Sequence, residues 1–259
     1  MKLVFIRHGD PDYVNDTLTQ RGIDEAKALS ESINRLGITD AYISPLGRAQ
    51  DTAKYSLDKL LIKGKTVDWL REFPAQFNPN LAMEARDAYC TELRKDSEGK
   101  YENRIMWDVL PSYFGKHPEL FDRNEWRNSD LVSCSNMIDK YDYVTNSFYE
   151  LLSGYGYEKK GDIFCVNKSN DKVIAFFCHF GITSVLLSSL WNISPFVTLQ
   201  FMAMAPTSVT VLASEERQKN IAIFRALQIG DISHLSMKSM EPSFSARFCE
   251  RFENEDERH

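Results

Sequence analysis

The order of apolar runs and amphipathic segments over the first 75 residues restricts the fold more than any other feature of this chain. Residues 3–7 (Leu-Val-Phe-Ile-Arg) form a nearly unbroken apolar run, the pattern of a strand covered on both faces. A polar loop follows from Asp10 to Thr19. Thr19 is placed to cap a helix with Asp24 and Glu25 in its first turn, where acidic groups favour the positive end of the dipole. Ile23, Ala26, Leu29, Ile33 and Leu36 then recur at helical spacing, and Gly37 stops the helix. Residues 41–43 read as a second strand, and Ser44-Pro45 as an N-cap with proline at the first position of a helix to about residue 60. Residues 67–70 read as a third strand. Strand, helix, strand, helix, strand predicts an α/β protein with a parallel sheet and crossover helices.

From residue 78 to 146 the sequence turns aromatic and charged with mixed periodicity, which predicts a mainly helical insertion. A helix rich in Tyr and Phe is expected over about 139–153. Residues 172–178 then read as a strand and 181–190 as a helix. Residues 208–213 and 220–227 read as a β-hairpin around a charged turn, 214–219. The whole chain, 1–259, is read as a single domain with that insertion, and 250–259 as a disordered tail.

The 31 basic residues are outnumbered by 37 acidic ones, for a net charge of −6, which argues against a nucleic-acid partner. Any anionic substrate must therefore be captured by local positive charge. The stretch 173–191 is long enough for a membrane span, but His179, Gly181 and several serines interrupt it, so a buried strand and helix are expected and no membrane contact. No secretory pattern follows Met1-Lys2, and Cys90, Cys134, Cys165, Cys178 and Cys249 lack metal-type spacing. The chain reads as a soluble cytoplasmic protein with reduced thiols. The exposed face of the 206–227 hairpin is a candidate for homodimer formation by edge pairing.

In a parallel α/β sheet, ligands bind at the carboxyl ends of the strands. That rule selects Arg7-His8-Gly9, then Arg48 beyond Ser44-Pro45, then Arg71-Glu72, then His179-Phe180-Gly181. Imidazoles, guanidinium groups and a carboxylate on one rim suit phosphoryl transfer. Fixed cations stabilise the charge on the equatorial oxygens, and arginine binds phosphate bidentately without losing its charge. A neutral imidazole is a competent nucleophile, and a carboxylic acid can protonate the leaving alkoxide. Asp10 and Asp12 are the alternative acids. Metal ligation by His8, Asp10 and Asp12 is disfavoured by the neighbouring guanidinium groups, so no metal and no cofactor are expected. Arg86, Arg104, Trp107 and Tyr113 of the insertion are candidates for substrate selection.

The chain resembles the histidine phosphatase superfamily, whose best-known members are the cofactor-dependent phosphoglycerate mutases. The likeness rests on Arg-His-Gly at 7–9, Leu-Thr-Gln-Arg-Gly at 18–22, Ser-Pro-Leu-Gly-Arg-Ala-Gln-Asp-Thr-Ala at 44–53, Glu72, Cys-His-Phe-Gly at 178–181, Pro-Thr-Ser-Val-Thr-Val-Leu at 206–212 and Ile-Ser-His-Leu at 232–235. It implies a three-layer α/β/α sandwich with a mainly parallel sheet. It also implies that His8 is the nucleophile, held in its attacking tautomer by a backbone carbonyl near Gly9. Arg7, Arg48 and His179 would bind phosphate with the backbone at Phe180 and Gly181, and Glu72 would donate the proton. Asn15 is carried over as a phosphate ligand, offset from its usual place, and Asp10 stands where many members have Glu. Residues 73–83 lack the Arg, Tyr and Gly-rich stretch of the mutases, which favours a phosphatase acting on a small-molecule phosphate ester. A mutase-type phosphotransferase and a non-catalytic phospholigand-binding member are the alternatives.

Overall fold

A strand with neighbours on both sides should be apolar in its interior, and the Lys2–Arg7 strand is: Leu3 to Ile6 are apolar, and from Leu3 onward every residue is buried. The computed structural model describes residues 1–89, 94–243 and 253. Over these the chain divides into two units, one formed by Met1–Glu72, Leu151–Thr183 and Ala203–His259, the other by Phe73–Glu150 and Ser184–Met202.

The first unit holds a mixed sheet of eight strands. In spatial order they are Gly64–Thr66, Asp40–Ile43, Val173–Cys178, Lys2–Arg7, Val209–Gln218, Ile221–Asp231, Ile163–Val166 and Tyr157–Lys160. The first four are mutually parallel. The remaining pairings are antiparallel. The expected mainly parallel sheet is therefore corrected to a half-parallel one. Strand direction is set by connections, and the two hairpins at the far edge reverse it without a crossover helix.

Side chains alternate across the sheet. Val4, Ile6, Ala41, Ile43, Ala175, Phe177, Val209 and Val211 point to one face and pack with Leu29, Ile33, Ala53 and Leu57 of the two helices Gln20–Ser32 and Gly47–Leu60. On the other face Phe176 stacks between Phe5 (ring centroids 5.1 Å) and Tyr42 (5.8 Å).

Thr19 caps its helix as expected, accepting from Gly22 N. The acidic first turn does not exist, because the helix begins at Gln20 and Glu25 lies a turn further in, fully buried. The helix passes into a 3₁₀ turn, Ile33–Leu36, which Gly37 ends at φ +64°. Ser44 is not the cap of the next helix. That helix starts at Gly47, and Asp16 Oδ2 accepts from Gly47 N at 2.7 Å. Residues 67–70 are not a strand: Gly64–Thr66 takes the edge position and Asp68–Leu70 turn as a 3₁₀ helix that buries Leu70. The hairpin strands are longer than predicted, Val209–Gln218 and Ile221–Asp231, with the reversal at Lys219-Asn220. The charged 214–218 stretch is strand, exposed toward its tip. The small hairpin Tyr157–Lys160 with Ile163–Val166 lay unread in the sequence.

The second unit is built from short helices and 3₁₀ turns, the long Met137–Gly154 helix and one two-stranded ladder, Gln76–Phe77 with Arg104–Ile105. Its core is aromatic: Trp126 meets Tyr141 edge-on at 5.1 Å, and Phe114 stacks on Phe121 at 4.9 Å. Residues 173–191 form the predicted strand and helix, Val173–Cys178 and Phe180–Trp191. Among the described residues no helix is long and apolar enough to cross a membrane. Cys134, Cys165 and Cys178 are free thiols, whereas Cys90, Cys249 and all of the expected tail except Glu253 lie outside the described residues.

Candidate active site

The first strand ends where backbone bonds fix it. Arg7 N donates to Ser208 O (3.2 Å), His8 N to Cys178 O (3.0 Å) and Gly9 N to Thr52 Oγ1 (2.9 Å). The His8 ring is 2% exposed, with Nδ1 2.7 Å from Gly9 O. A carbonyl only accepts, so the ring proton sits on Nδ1 and the Nε2 lone pair is available. Burial, then the charges of Arg7 and Arg48, hold His8 well below the usual histidine range, so the imidazole is neutral. Gly9 has a local reason to be glycine, since a Cβ there would come within 2.6 Å of Gly22 O.

Two guanidinium groups border this ring. Arg7 is buried, donates through Nη1 to Met204 O, and hydrogen-bonds the Tyr13 phenol. Arg48, one residue into its helix, donates through Nη1 to Asp16 Oδ1 at 2.6 Å, with the Tyr13 ring 5.4 Å from its guanidinium carbon. Asp16 thus holds both Arg48 and the helix start, and it adopts φ +49°, which Asp tolerates better than most residues. The His179 ring lies 5.0 Å from that of His8, centroid to centroid, with Nε2 2.7 Å from Ser44 Oγ. Ser44 Oγ also accepts from Leu46 N at 3.3 Å. Burial, then His8 and the two arginines, hold His179 well below the usual histidine range as well.

Arg48 Nε, a donor, and the ring nitrogen His179 Nδ1 are buried without a hydrogen-bond partner among the described residues. A buried donor in that state is costly unless something else satisfies it, and an oxyanion beside Arg48 would do so. The Glu72 carboxyl sits at the opening of the Phe180–Trp191 helix, where its Oε1 accepts from Ile182 N at 3.1 Å. Phe180 and Gly181 are buried in that first turn. Among the described residues no three His, Cys, Asp or Glu side chains stand together to hold a metal ion.

Arg7, His8, Arg48 and His179 are therefore within mutual electrostatic reach, and Glu72 is close enough for its charge to act on Arg7. Asn15 is not recruited: it lies exposed, and its amide donates to Asp12 Oδ2 at 2.7 Å. Sequence reasoning missed Asp16, Ser44 as a histidine partner, and Met204. The one available signal for Asp16 was an acid just before the Leu18-Thr19 cap. In the second unit, Arg86 lies over the Tyr101 ring, Arg104 over Tyr89, and Tyr113 is buried against His117.

Glu25 sits beneath the loop after His8, its Oε2 accepting from Asp10 N (2.8 Å) and its Oε1 from Ser243 N (3.2 Å). Burial pushes its carboxyl above the ordinary glutamate range. Its folded pKa exceeds the unfolded one, so the folded state holds the proton longer and stability falls as pH rises from about 4.3, the ordinary value, through the raised one. Thermal melts across pH 4–8 should show the melting temperature of wild type falling relative to that of Glu25→Gln as pH rises, the effect of the buried histidines being common to both. Parallel curves would refute it.

Residues 3–107 match the family model of the histidine phosphatase superfamily, branch 1. Over those residues the chain is similar to that superfamily. No curated protein sequence matches it significantly. Among solved structures, it is similar to a mycobacterial glucosyl-3-phosphoglycerate phosphatase in complex with inorganic phosphate, at 16% identity over 90% of this chain and 98% of that one (TM-score 0.56). It is also similar to a mutant phosphoserine phosphatase from Entamoeba histolytica in complex with phosphoserine, at 15% identity over 90% and 98% of the two chains (TM-score 0.56). At such identities the likeness establishes the fold, an α/β phosphoglycerate mutase-like fold with helices flanking the eight-stranded sheet.

Proposed function

We propose that this chain is a histidine phosphatase, a metal-independent phosphomonoesterase that hydrolyses a small phosphate ester through a phosphohistidine at His8. The observation that carries the reading is the His8 ring itself, buried and neutral, with Nδ1 on Gly9 O and the charges of Arg7 and Arg48 acting on it. His8 Nε2 attacks phosphorus, the ester P–O bond breaks, and the departing alkoxide takes the Glu72 proton. Water then attacks phosphorus, giving its proton to the Glu72 carboxylate as the P–N bond breaks, and inorganic phosphate leaves. Arg7, Arg48, His179 and the amides at Phe180 and Gly181 hold the equatorial oxygens. Asn15 has no part in this, being engaged with Asp12. The names of the two structural relatives are consistent with a small ester, but the reading rests on the site.

The test is hydrolysis of p-nitrophenyl phosphate in EDTA, combined with an alkaline quench and mass spectrometry of the peptide carrying His8. Turnover that survives EDTA with phosphate on His8 is expected. Turnover without a phosphopeptide, or abolished by EDTA, would overturn the mechanism.

A further inference from the structure

Thr207 adopts φ +58°, a left-handed conformation that a β-branched residue rarely takes. Strain of this kind persists where surrounding bonds over-determine it, and it clusters at functional sites. The bonds are present. Thr207 N donates to both Arg7 O and His8 O, at 3.1 Å each. Thr207 Oγ1 donates to Pro206 O at 2.7 Å and lies 2.9 Å from His234 Nε2. With its proton on Pro206 O, the hydroxyl can only accept from His234, whose Nε2 therefore carries a proton. His234 is 2% exposed and takes no part in the chemistry above. Burial lowers its pKa to about 4, consistent with a permanent neutral donor.

The consequence falls on the nucleophile. Arg7 N and His8 N donate to Ser208 O and Cys178 O, and the carbonyls of the same two residues accept from the Thr207 amide. That amide holds both residues at once, from outside the ladder. Glycine would adopt φ +58° without strain, yet it has no hydroxyl for His234 and leaves the turn free to move. Threonine keeps the strain and, through the His234 bond, the direction of the amide.

We infer that Thr207 and His234 form a positioning pair for the nucleophile: the His234–Thr207–Pro206 chain of hydrogen bonds fixes the turn, and the Thr207 amide fixes the Arg7 and His8 carbonyls, and with them the backbone from which the His8 ring projects. The inference rests on reading His8 as the nucleophile.

The test compares Thr207→Ser, Thr207→Gly, Thr207→Val, His234→Gln and His234→Leu, with p-nitrophenyl phosphate as substrate and ¹⁵N NMR of the histidine rings. Thr207→Ser should stay within a few-fold of wild type, and His234→Gln, which retains an N–H donor, should recover most of what His234→Leu loses. Thr207→Gly and His234→Leu should lose about 100-fold in kcat, the scale of a 1 Å misplacement, with KM nearly unchanged. His8 should lose its single Nδ1–H tautomer in the same two variants. If Thr207→Val fails to fold, those two decide the matter. A purely structural role would lower the melting temperature and the folded fraction, leaving kcat per folded molecule and the His8 ring signals unchanged, and that result would overturn the inference. Inactivity of wild type would refute the nucleophile reading instead. The ring spectra of Thr207→Gly then decide the positioning claim alone, a changed His8 tautomer supporting it and an unchanged one ending it.

Discussion

His8→Ala should lower hydrolysis of p-nitrophenyl phosphate by about 10⁴- to 10⁶-fold, the range seen when a covalent nucleophile is removed. The fold should survive, because the strand bonds at this position belong to the backbone, His8 N to Cys178 O and the Thr207 amide to His8 O. What the side chain contributes structurally is one bond to Gly9 O and a buried ring. A depressed histidine pKa works against the fold in acid, because the unfolded chain takes up a proton that the folded one refuses. Stability from His8 is therefore complete above about pH 6.5 and declines below it. Removing the ring should make the variant less sensitive than wild type between pH 7 and 5. The ring's ¹H NMR signal, assigned by its absence in the variant, should not titrate through the ordinary histidine range. A residual activity above one per cent would point to another nucleophile, and a titration midpoint near 6.5 would mean that the ring is solvated.

How far the site could be read from sequence depends on what fixes each residue. Arg7, His8 and His179 follow strands whose apolar runs are unmistakable, so the strand-end rule finds them with local information alone. Thr19 was legible for the same reason, as a cap is a short-range bond. Asp16 was not, because its partners Gly47 and Arg48 are about thirty residues away and only the folded loop brings them together. Ser44 was misassigned since Ser-Pro is a good local cap signal, while the bond it makes, to His179, is tertiary. Glu25 looked like a surface acid in a helix's first turn and proved to be a buried acceptor for Asp10 and Ser243. The half-antiparallel sheet had the same cause, since neighbours such as Lys2 and Ala213 are chosen by packing over long separations. The Asp68–Leu70 turn shows the converse, an apolar stretch that is buried without being a strand.

Glu72→Gln should separate two kinds of substrate, and the separation identifies the acid. Glutamine has the shape of glutamate and can still accept from Ile182 N through its carbonyl oxygen, so the helix start keeps its partner. It cannot give up a proton. Alkyl phosphates leave as strongly basic alkoxides, so their hydrolysis should fall by the 10²- to 10⁴-fold that general acid catalysis typically contributes. p-Nitrophenolate leaves unassisted, so the first step with that ester should be nearly spared. The second step still needs a base for water, and Glu72 has been removed from that role too. Stopped-flow measurement should therefore show a burst of p-nitrophenol equal to the enzyme concentration, then slow turnover, with phosphohistidine accumulating. The other acids near His8 are poorly suited to the task. Asp10 has both oxygens engaged, by Thr19 Oγ1 and Ser243 Oγ. Asp12 accepts from Asn15 and Val14, and those bonds, Asn15's side chain foremost, hold it below the usual carboxylate range, favouring the ionised form that has no proton to give. Equal losses on both esters without a burst would assign Glu72 to the helix start alone and return the proton to another group.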